Sequence, residues 1–306
     1  MSEQINNTSQ VVRGCPACHS HIKKSVGEKN GYQILSCRRC KTLYVTNKGN
    51  IPESYDYADY YEGRDISTPA FVAKRLDEIV TTFESVKQKN RLLDIGCGSG
   101  AMLEAAQRKN WQAEGVEVSD SAVVYLRGKG FKVFHGFLHE ANYPDNYFDV
   151  VTAVELFEHL LAPSEVIEEA ARILRPGGIL WATTPHSKGA SARLLGTHWS
   201  IICPPEHVQL FSAKGLRMLL QQSGFSQINI STLGVNPVEI LHNMRTKKTK
   251  TDDSQTDEDT FNRNETAFQL NSYFSEKKSR RMIKDALNGF LNLTRLGDSL
   301  KIWAQK

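Results

Sequence analysis

From residue 91 onward, short apolar runs suited to strands alternate with segments whose apolar positions recur every three to four residues. "RLLDIG", "WQAEGVEV", "FKVFHG", "YFDVVTAV" and "GGILWATTP" read as strands, and "AMLEAAQRK", "SDSAVVYLRGKG" and "SEVIEEAARIL" as the helices between them. Such alternation predicts an α/β fold with a parallel sheet covered on both faces. Before it, "PAFVAKRLDEIVTTFESV" sets Phe71, Leu76, Ile79, Val80 and Phe83 at helical spacing. After it, "SQINISTL" predicts a sixth strand, and "GDSLKIWAQK" alternates Leu300, Ile302 and Ala304 like another.

The segment "RTKKTKTDDSQTDEDTFNRNE", residues 245–265, carries basic and acidic blocks with almost no apolar residue, which predicts a flexible loop. "RRMIKDALNGFLNLTRL" then lines Met282, Ile283, Leu287, Phe290 and Leu291 along one helical stripe. That stripe packs on the core, or it forms a substrate lid, a dimer contact or a face on membrane lipid. Arg280, Arg281 and Lys284 favour the lipid reading.

A chain of 306 residues with 40% hydrophobic content is long enough to bury a core, as one large domain or a domain plus a module. A formal net charge of +4 falls short of the concentrated positive charge of backbone-driven nucleic-acid binding, so nucleic acid is not an expected partner. The polar start "MSEQINNTSQ" lacks the basic and apolar regions of a secretory signal, and no apolar run approaches a bilayer span. The expectation is a soluble, cytoplasmic protein.

Four of the six cysteines fall in "CPACHS" and "SCRRC": Cys15, Cys18, Cys37 and Cys40, spaced C-x2-C-x18-C-x2-C. Each C-x2-C aims two thiolates at one ion, and the spacing matches a zinc ribbon holding a structural Zn2+. A disulfide pair is disfavoured in a reducing compartment, and a redox dithiol would need one such motif rather than two. His19 and His21 are extra donors, but four thiolates already close the shell and leave no open position for substrate. Next, "YDYADYYEGR" crowds Tyr55, Tyr57, Tyr60 and Tyr61, whose rings either pack the ribbon onto the next domain or line a substrate pocket.

In a doubly covered parallel sheet, ligands bind beyond the carboxyl ends of the strands, at a switch point. The first such end is "LLDIGCGSG", where Gly96, Gly98 and Gly100 permit a sharp turn and let a ligand lie on bare backbone. "GCGSGA" also satisfies the G-x-G-x-x-A of a nicotinamide site. Asp94 decides against that reading, because a carboxylate there suits a ligand's ammonium and sits poorly beside a pyrophosphate. Glu117, ending the second strand, is placed to accept from both hydroxyls of a ribose. Farther on, "VELFEHL" puts Glu155, Glu158 and His159 at i, i+3 and i+4, one face if the segment is helical, a spacing fit for a divalent metal or a catalytic base. The alternative is helix-start carboxylates favoured by the dipole and a packing histidine.

"LLDIGCGSG", the acid of "GVEVS", "FDVVTAVELFEHL" and "LRPGGILWATTP" resemble, in order and spacing, the motifs of class I S-adenosylmethionine-dependent methyltransferases over about residues 91–232. The resemblance implies a Rossmann-like seven-stranded sheet whose last strand, "GDSLKIWAQK", is antiparallel. Residues 1–50 would be the zinc ribbon, 51–69 the link and 70–306 the methyltransferase domain, with an insertion at about 236–296. It implies that Asp94, Gly96, Gly98 and Gly100 hold the methionine part, Glu117 the ribose, and Val118 packs on adenine. Many members carry an Asp beside a Gly after the third strand; here Phe137 follows Gly136, so backbone groups with Phe137 and Leu138 would hold the adenine.

"VELFEHL" resembles the E-x-x-E-H segment of quinone-biosynthesis O-methyltransferases and small-RNA methyltransferases, which implies Glu155, Glu158 and His159 as ligands of a divalent cation such as Mg2+. "HWSIICPPEHVQLFSAKGLRMLLQQSGF" resembles a segment of zinc-ribbon methyltransferases, some acting on sugars. Glu206 and His207 match an acid and a histidine near the active site of sugar C-methyltransferases, but Pro204 stands where those carry a tyrosine.

Methyl transfer from a sulfonium is an in-line displacement, so a hydroxyl acceptor needs alignment and a base. His159 and His207 are candidates, with His135 and His186 more remote. The expected acceptor is a small molecule or glycan methylated at a hydroxyl oxygen. The competing readings are a sugar C-methyltransferase, an RNA methyltransferase docking RNA on its ribbon, and a non-enzymatic ribbon module on a degenerate core. The modest charge and the lack of an N-P-P-[YFW] signature weigh against RNA, and the intact cofactor motifs weigh against degeneracy.

Overall fold

A computed structural model describes residues 14–45, 68–249 and 278–306. The four link tyrosines and residues 250–277 lie outside the described residues. The predicted alternation is realised as β4 (Arg91–Ile95), α2 (Ala101–Arg108), β5 (Gln112–Glu117), α3 (Asp120–Gly128), β6 (Lys132–His135), β7 (Phe148–Val154), α4 (Pro163–Ile173) and β8 (Leu174–Pro185). Helix α1 (Ala70–Thr82) precedes them, and β10 (Gln227–Leu233) and β11 (Ser299–Gln305) follow. The order β10-β11-β8-β7-β4-β5-β6 makes a seven-stranded sheet in which β11 runs antiparallel to both neighbours, as expected.

Strand β7 shows why the sheet lies at the centre: Phe148, Val150, Val151 and Ala153 are all fully buried, so both faces are covered. Helix α4 buries Ile167, Ala170, Ala171 and Ile173, the recurring face that the sequence pattern requires. Phe83, just past α1, is fully buried against Trp181 and Trp303, with centroids 6.1 and 6.0 Å away. Strand β4 pairs in parallel with β5 on one side and β7 on the other, so the chain reverses its winding there.

A second, four-stranded sheet is built from β1 (Lys23–Lys29), β2 (Tyr32–Cys37), β3 (Leu43–Val45) and β9 (Gln209–Leu210), in that order. The β1–β2 hairpin turns at Asn30 and Gly31, both at positive φ (52° and 78°), the geometry a two-residue hairpin prefers. Strand β9 comes from far along the chain, so the N-terminal ribbon is joined edge to edge with the larger region. Two short helices flank β9: α5 (Ala190–Leu195) before it and α6 (Ala213–Gln222) after it.

The tail departs from expectation in one place. Arg245–Thr249, read as the start of a loop, complete helix α7 (Pro237–Thr249). Helix α8 (Lys278–Thr294) docks on β10 through Leu291, while Met282, Ile283, Leu287 and Phe290 face outward; Ile283 is 61% exposed. Side-chain amides help dock the helix: Asn292 and Asn288 Oδ1 accept from the amides of Thr232 (2.9 Å) and Gly234 (3.0 Å). Among the described residues, no helix is long and apolar enough to cross a membrane.

Candidate active site

The carboxyl ends of β4 and β7 bring the two candidate motifs together at the switch point. After β4 the chain turns sharply into α2, and the amides of Gly96 and Cys97 donate to Val116 O on β5 (2.8 and 3.2 Å). Gly100 holds φ +76°, and a Cβ there would lie 2.2 Å from Leu126 Cδ2. Only glycine satisfies both the left-handed backbone and the close approach of α3.

Asp94, on β4, is buried, and the Thr152 hydroxyl on β7 lies 2.6 Å from its Oδ1. Burial pushes this carboxyl up to about 7, against the Thr152 hydrogen bond and with help from the Glu117 charge. A cationic ligand head would offset that penalty. Glu117, closing β5, accepts from Gly98 N (2.7 Å), Val118 N (2.8 Å) and Ser119 N (3.0 Å), so one carboxylate ties the glycine turn to the start of α3. A buried carboxyl, bare glycine backbone and an acid beyond the next strand can receive an ammonium, a sulfonium and a ribose in succession. Val118 is half-buried and Phe137 is 51% exposed, its ring stacked on His139. Leu138, expected beside them, turns into the core at 4% exposure. His135 Nε2 lies 3.2 Å from Val118 O, at the outer edge of this side.

The segment after β7 is not a helix. Glu155 takes a left-handed φ of +49°, and residues 157–159 form a turn. Glu155, Glu158 and His159 therefore do not share a helical face. Glu155 is exposed, but its charge still bears on Glu158, which is buried. Burial, then Glu155, push the Glu158 carboxyl well above its ordinary range, and the Thr184 hydroxyl on β8 donates to it at 2.9 Å.

What joins Glu158 and His159 is His207, brought in by the loop ahead of β9. Ligand atoms of these three residues all lie within 4.8 Å of one another. Sequence reasoning placed His207 near the site but not in this set, because the fold alone closes the distance between the two segments. The His159 and His207 rings meet at 4.6 Å. Each Nδ1 faces a backbone carbonyl, that of Glu206 for His159 (2.9 Å) and that of Ile201 for His207 (2.7 Å). A carbonyl can only accept, so Nδ1 carries a proton in both rings, and the backbone of Glu155 also bears on His159. Burial and the neighbouring His207 push His159 down to about 4, which keeps it neutral.

Glu206 contributes its backbone carbonyl to His159, while its carboxylate faces the Cys203 thiol at 3.8 Å. His186, at the end of β8, is buried with Nδ1 on Gly297 O (2.9 Å), a bond that ties β8 to the approach to β11.

The four ribbon cysteines converge as their spacing predicts. Their sulfurs lie within 4.8 Å of one another, with Cys15 to Cys40 at 3.5 Å and Cys18 to Cys37 at 3.6 Å. His19 and His21 stay exposed and outside this cluster. All four cysteines are buried, and Cys15 and Cys40 belong to the main core with Phe211 and Leu216. The Ser212 hydroxyl, which caps α6, donates to Cys40 O.

A family model described as a methyltransferase domain matches residues 68–230, more than half of the chain. The ubiquinone biosynthesis O-methyltransferase of Azoarcus sp. is 24% identical over 162 residues, covering 48% of this chain and 69% of that protein. The 27-O-demethylrifamycin SV methyltransferase of Amycolatopsis mediterranei is 35% identical over 115 residues, covering 35% and 42%. The fold is also that of a SAM-dependent methyltransferase from Archaeoglobus fulgidus, with a TM-score of 0.52 at 20% identity over 82% of this chain and 100% of that one. The matched span contains β4 to β8, the glycine turn and the Glu158–His159 turn, and on that basis the chain belongs to the methyltransferase-domain family and is a class I S-adenosylmethionine-dependent methyltransferase.

Proposed function

We propose that this enzyme transfers the methyl group of S-adenosylmethionine to a hydroxyl oxygen of a small-molecule or glycan acceptor, with Glu158, His159 and His207 as its acceptor-side groups. The observation that carries this reading is the convergence of one buried carboxyl and two imidazoles within 4.8 Å beside the switch point. An oxygen nucleophile must lose a proton as the methyl carbon moves from sulfur to oxygen, and this cluster holds acceptors for it. That the two relatives described above are named O-methyltransferase and 27-O-demethylrifamycin SV methyltransferase supports the same chemistry. On the cofactor side, Asp94, Gly96, Gly98 and Gly100 hold the methionine part, Glu117 the ribose, and Val118 and Phe137 the adenine.

The cluster also fits a divalent cation. A buried carboxyl held above its ordinary range is relieved by an adjacent positive charge, and Glu158, His159 and His207 each offer one ligand atom within 4.8 Å of the others. Two nitrogens and one carboxylate suit Mn2+ or Zn2+ better than the expected Mg2+, which prefers oxygen donors. When bound, such an ion makes an acceptor hydroxyl more acidic. The protein's own part is to orient the hydroxyl, exclude water and place His159 and His207 at the acceptor. In the ribbon, Cys15, Cys18, Cys37 and Cys40 hold a structural Zn2+.

The test is product analysis. The full chain is incubated with methyl-labelled S-adenosylmethionine and a panel of phenols, catechols and sugars, with and without a chelator. A methyl ether as product is the expected result; transfer solely to nitrogen or carbon would overturn the oxygen assignment.

A further inference from the structure

We infer that Gln209 is a positioning residue: it fixes the turn carrying Glu158 and His159 and fastens that turn to the edge of the zinc ribbon. The inference rests on the acceptor-side reading above and deepens it.

The turn at 157–160 lacks the internal ladder of a helix, so its carbonyls need partners from elsewhere. Gln209 and its neighbour supply them. Val208 N and Gln209 N both donate to Glu158 O, at 2.9 and 3.3 Å. The Gln209 side-chain amide donates to Phe157 O at 2.7 Å and to Leu160 O. Three carbonyls of one turn are thus gathered by two adjacent residues. Gln209 is only 1% exposed, so water cannot substitute for its amide.

Gln209 also begins the ribbon's last strand, β9. Gln209 pairs with Tyr44 and Leu210 with Leu43, and Val45 N donates to Val208 O at 3.0 Å. The hairpin tip grips the loop that leads to His207: Lys29 Nζ donates to Trp199 O (3.0 Å) and Asn30 Nδ2 to Pro204 O (2.8 Å). Ribbon residues Ile34 and Val45 share a core with Trp199, Ile201, Ile202 and Val208. The ribbon therefore acts as a fixed wall against which both halves of the acceptor cluster are set. Gln209 reaches from that wall into the turn.

The experiment compares the metal-loaded full chain with Gln209→Met, which keeps length and packing but removes both donors, and with the milder Gln209→Asn. Hydrogen exchange is followed by peptide, and turnover at saturating acceptor is measured alongside the KM for S-adenosylmethionine. The expected result is loss of protection over residues 155–162 with protection retained over 32–40. With it, kcat falls about 10- to 100-fold while that KM stays within about twofold, the split a misplaced acceptor site gives. Wild-type protection at 155–162 in both variants would overturn the inference. Should the wild type methylate no hydroxyl, the acceptor reading fails on its own, and the exchange pattern still decides the role of Gln209.

Discussion

The imidazoles of His159 and His207 meet edge to face, with centroids 4.6 Å apart and planes at 70°. One ring stands on the turn after β7 and the other on the loop before β9, and each holds its Nδ1 against a backbone carbonyl. For His159 burial outweighs the carbonyl bond, which on its own would favour the protonated ring, and keeps the imidazole neutral. This pair, with Glu158 beside it, fits proton removal from a hydroxyl or ligation of a cation.

Replacing either ring removes one imidazole from the cluster while leaving the glycine turn intact. His159→Ala and His207→Ala are each expected to lower kcat about 100-fold or more, with S-adenosylmethionine affinity by calorimetry unchanged within about twofold. Wild-type turnover in both would return the rings to a packing role.

Asp94 links cofactor binding to pH. Burial raises its carboxyl from 3.8 to about 7, so the unliganded fold binds a proton that the unfolded chain releases. The sign follows: as pH rises from about 4 to 7, Asp94 makes the unliganded fold less stable, and a cationic ligand that favours the ionised form binds more tightly. Affinity for S-adenosylmethionine should climb toward pH 7 with release of a proton, seen in calorimetry as a dependence of heat on the buffer. Asp94→Asn should remove the proton release and weaken binding at least about tenfold. Buffer-independent heats in the wild type would contradict this account.

Gly100 tests the cradle. An alanine there takes an unfavourable left-handed backbone and drives its Cβ into Leu126. Gly100→Ala should destabilise the protein by about 2–3 kcal/mol and weaken cofactor binding, read by thermal melts with and without S-adenosylmethionine. An unchanged melting temperature would mean that α3 has room to move.

The ribbon should carry about one zinc per chain by elemental analysis, as four thiolates close one tetrahedral shell. Because Cys15 and Cys40 lie in the main core with Phe211 and Leu216, losing the ion should loosen more than the ribbon. Cys40→Ser is expected to lose the metal and lower the melting temperature of the whole chain in a single transition. A ribbon that melts separately, with the rest unchanged, would contradict the shared core.

Much of the fold was legible because it is local. Strand and helix periods are written in consecutive residues, as in "FDVVTAV", and the glycine turn and the cysteine pairs are short motifs with fixed mechanics. The turn at 155–160 is not legible, because Glu155, Glu158 and His159 have helical spacing and nothing local announces the left-handed φ of Glu155. The pairing of His159 with His207 and the clamp of Gln209 depend on chain return. A two-residue strand such as β9 is too short to show any period, and its partners lie in the ribbon. The outward stripe of α8 has the same origin: amphipathic spacing tells which residues share a face, and only the docking of Asn288 and Asn292 decides where that face points.

The central claim is oxygen methylation at the Glu158, His159 and His207 cluster, and product mass spectrometry with labelled cofactor tests it most directly. The account predicts a labelled methyl ether from a hydroxyl acceptor with the wild-type chain, and its loss in Glu158→Gln and His159→Ala variants that still bind S-adenosylmethionine. A methyl ether formed at the wild-type rate by those variants would contradict it.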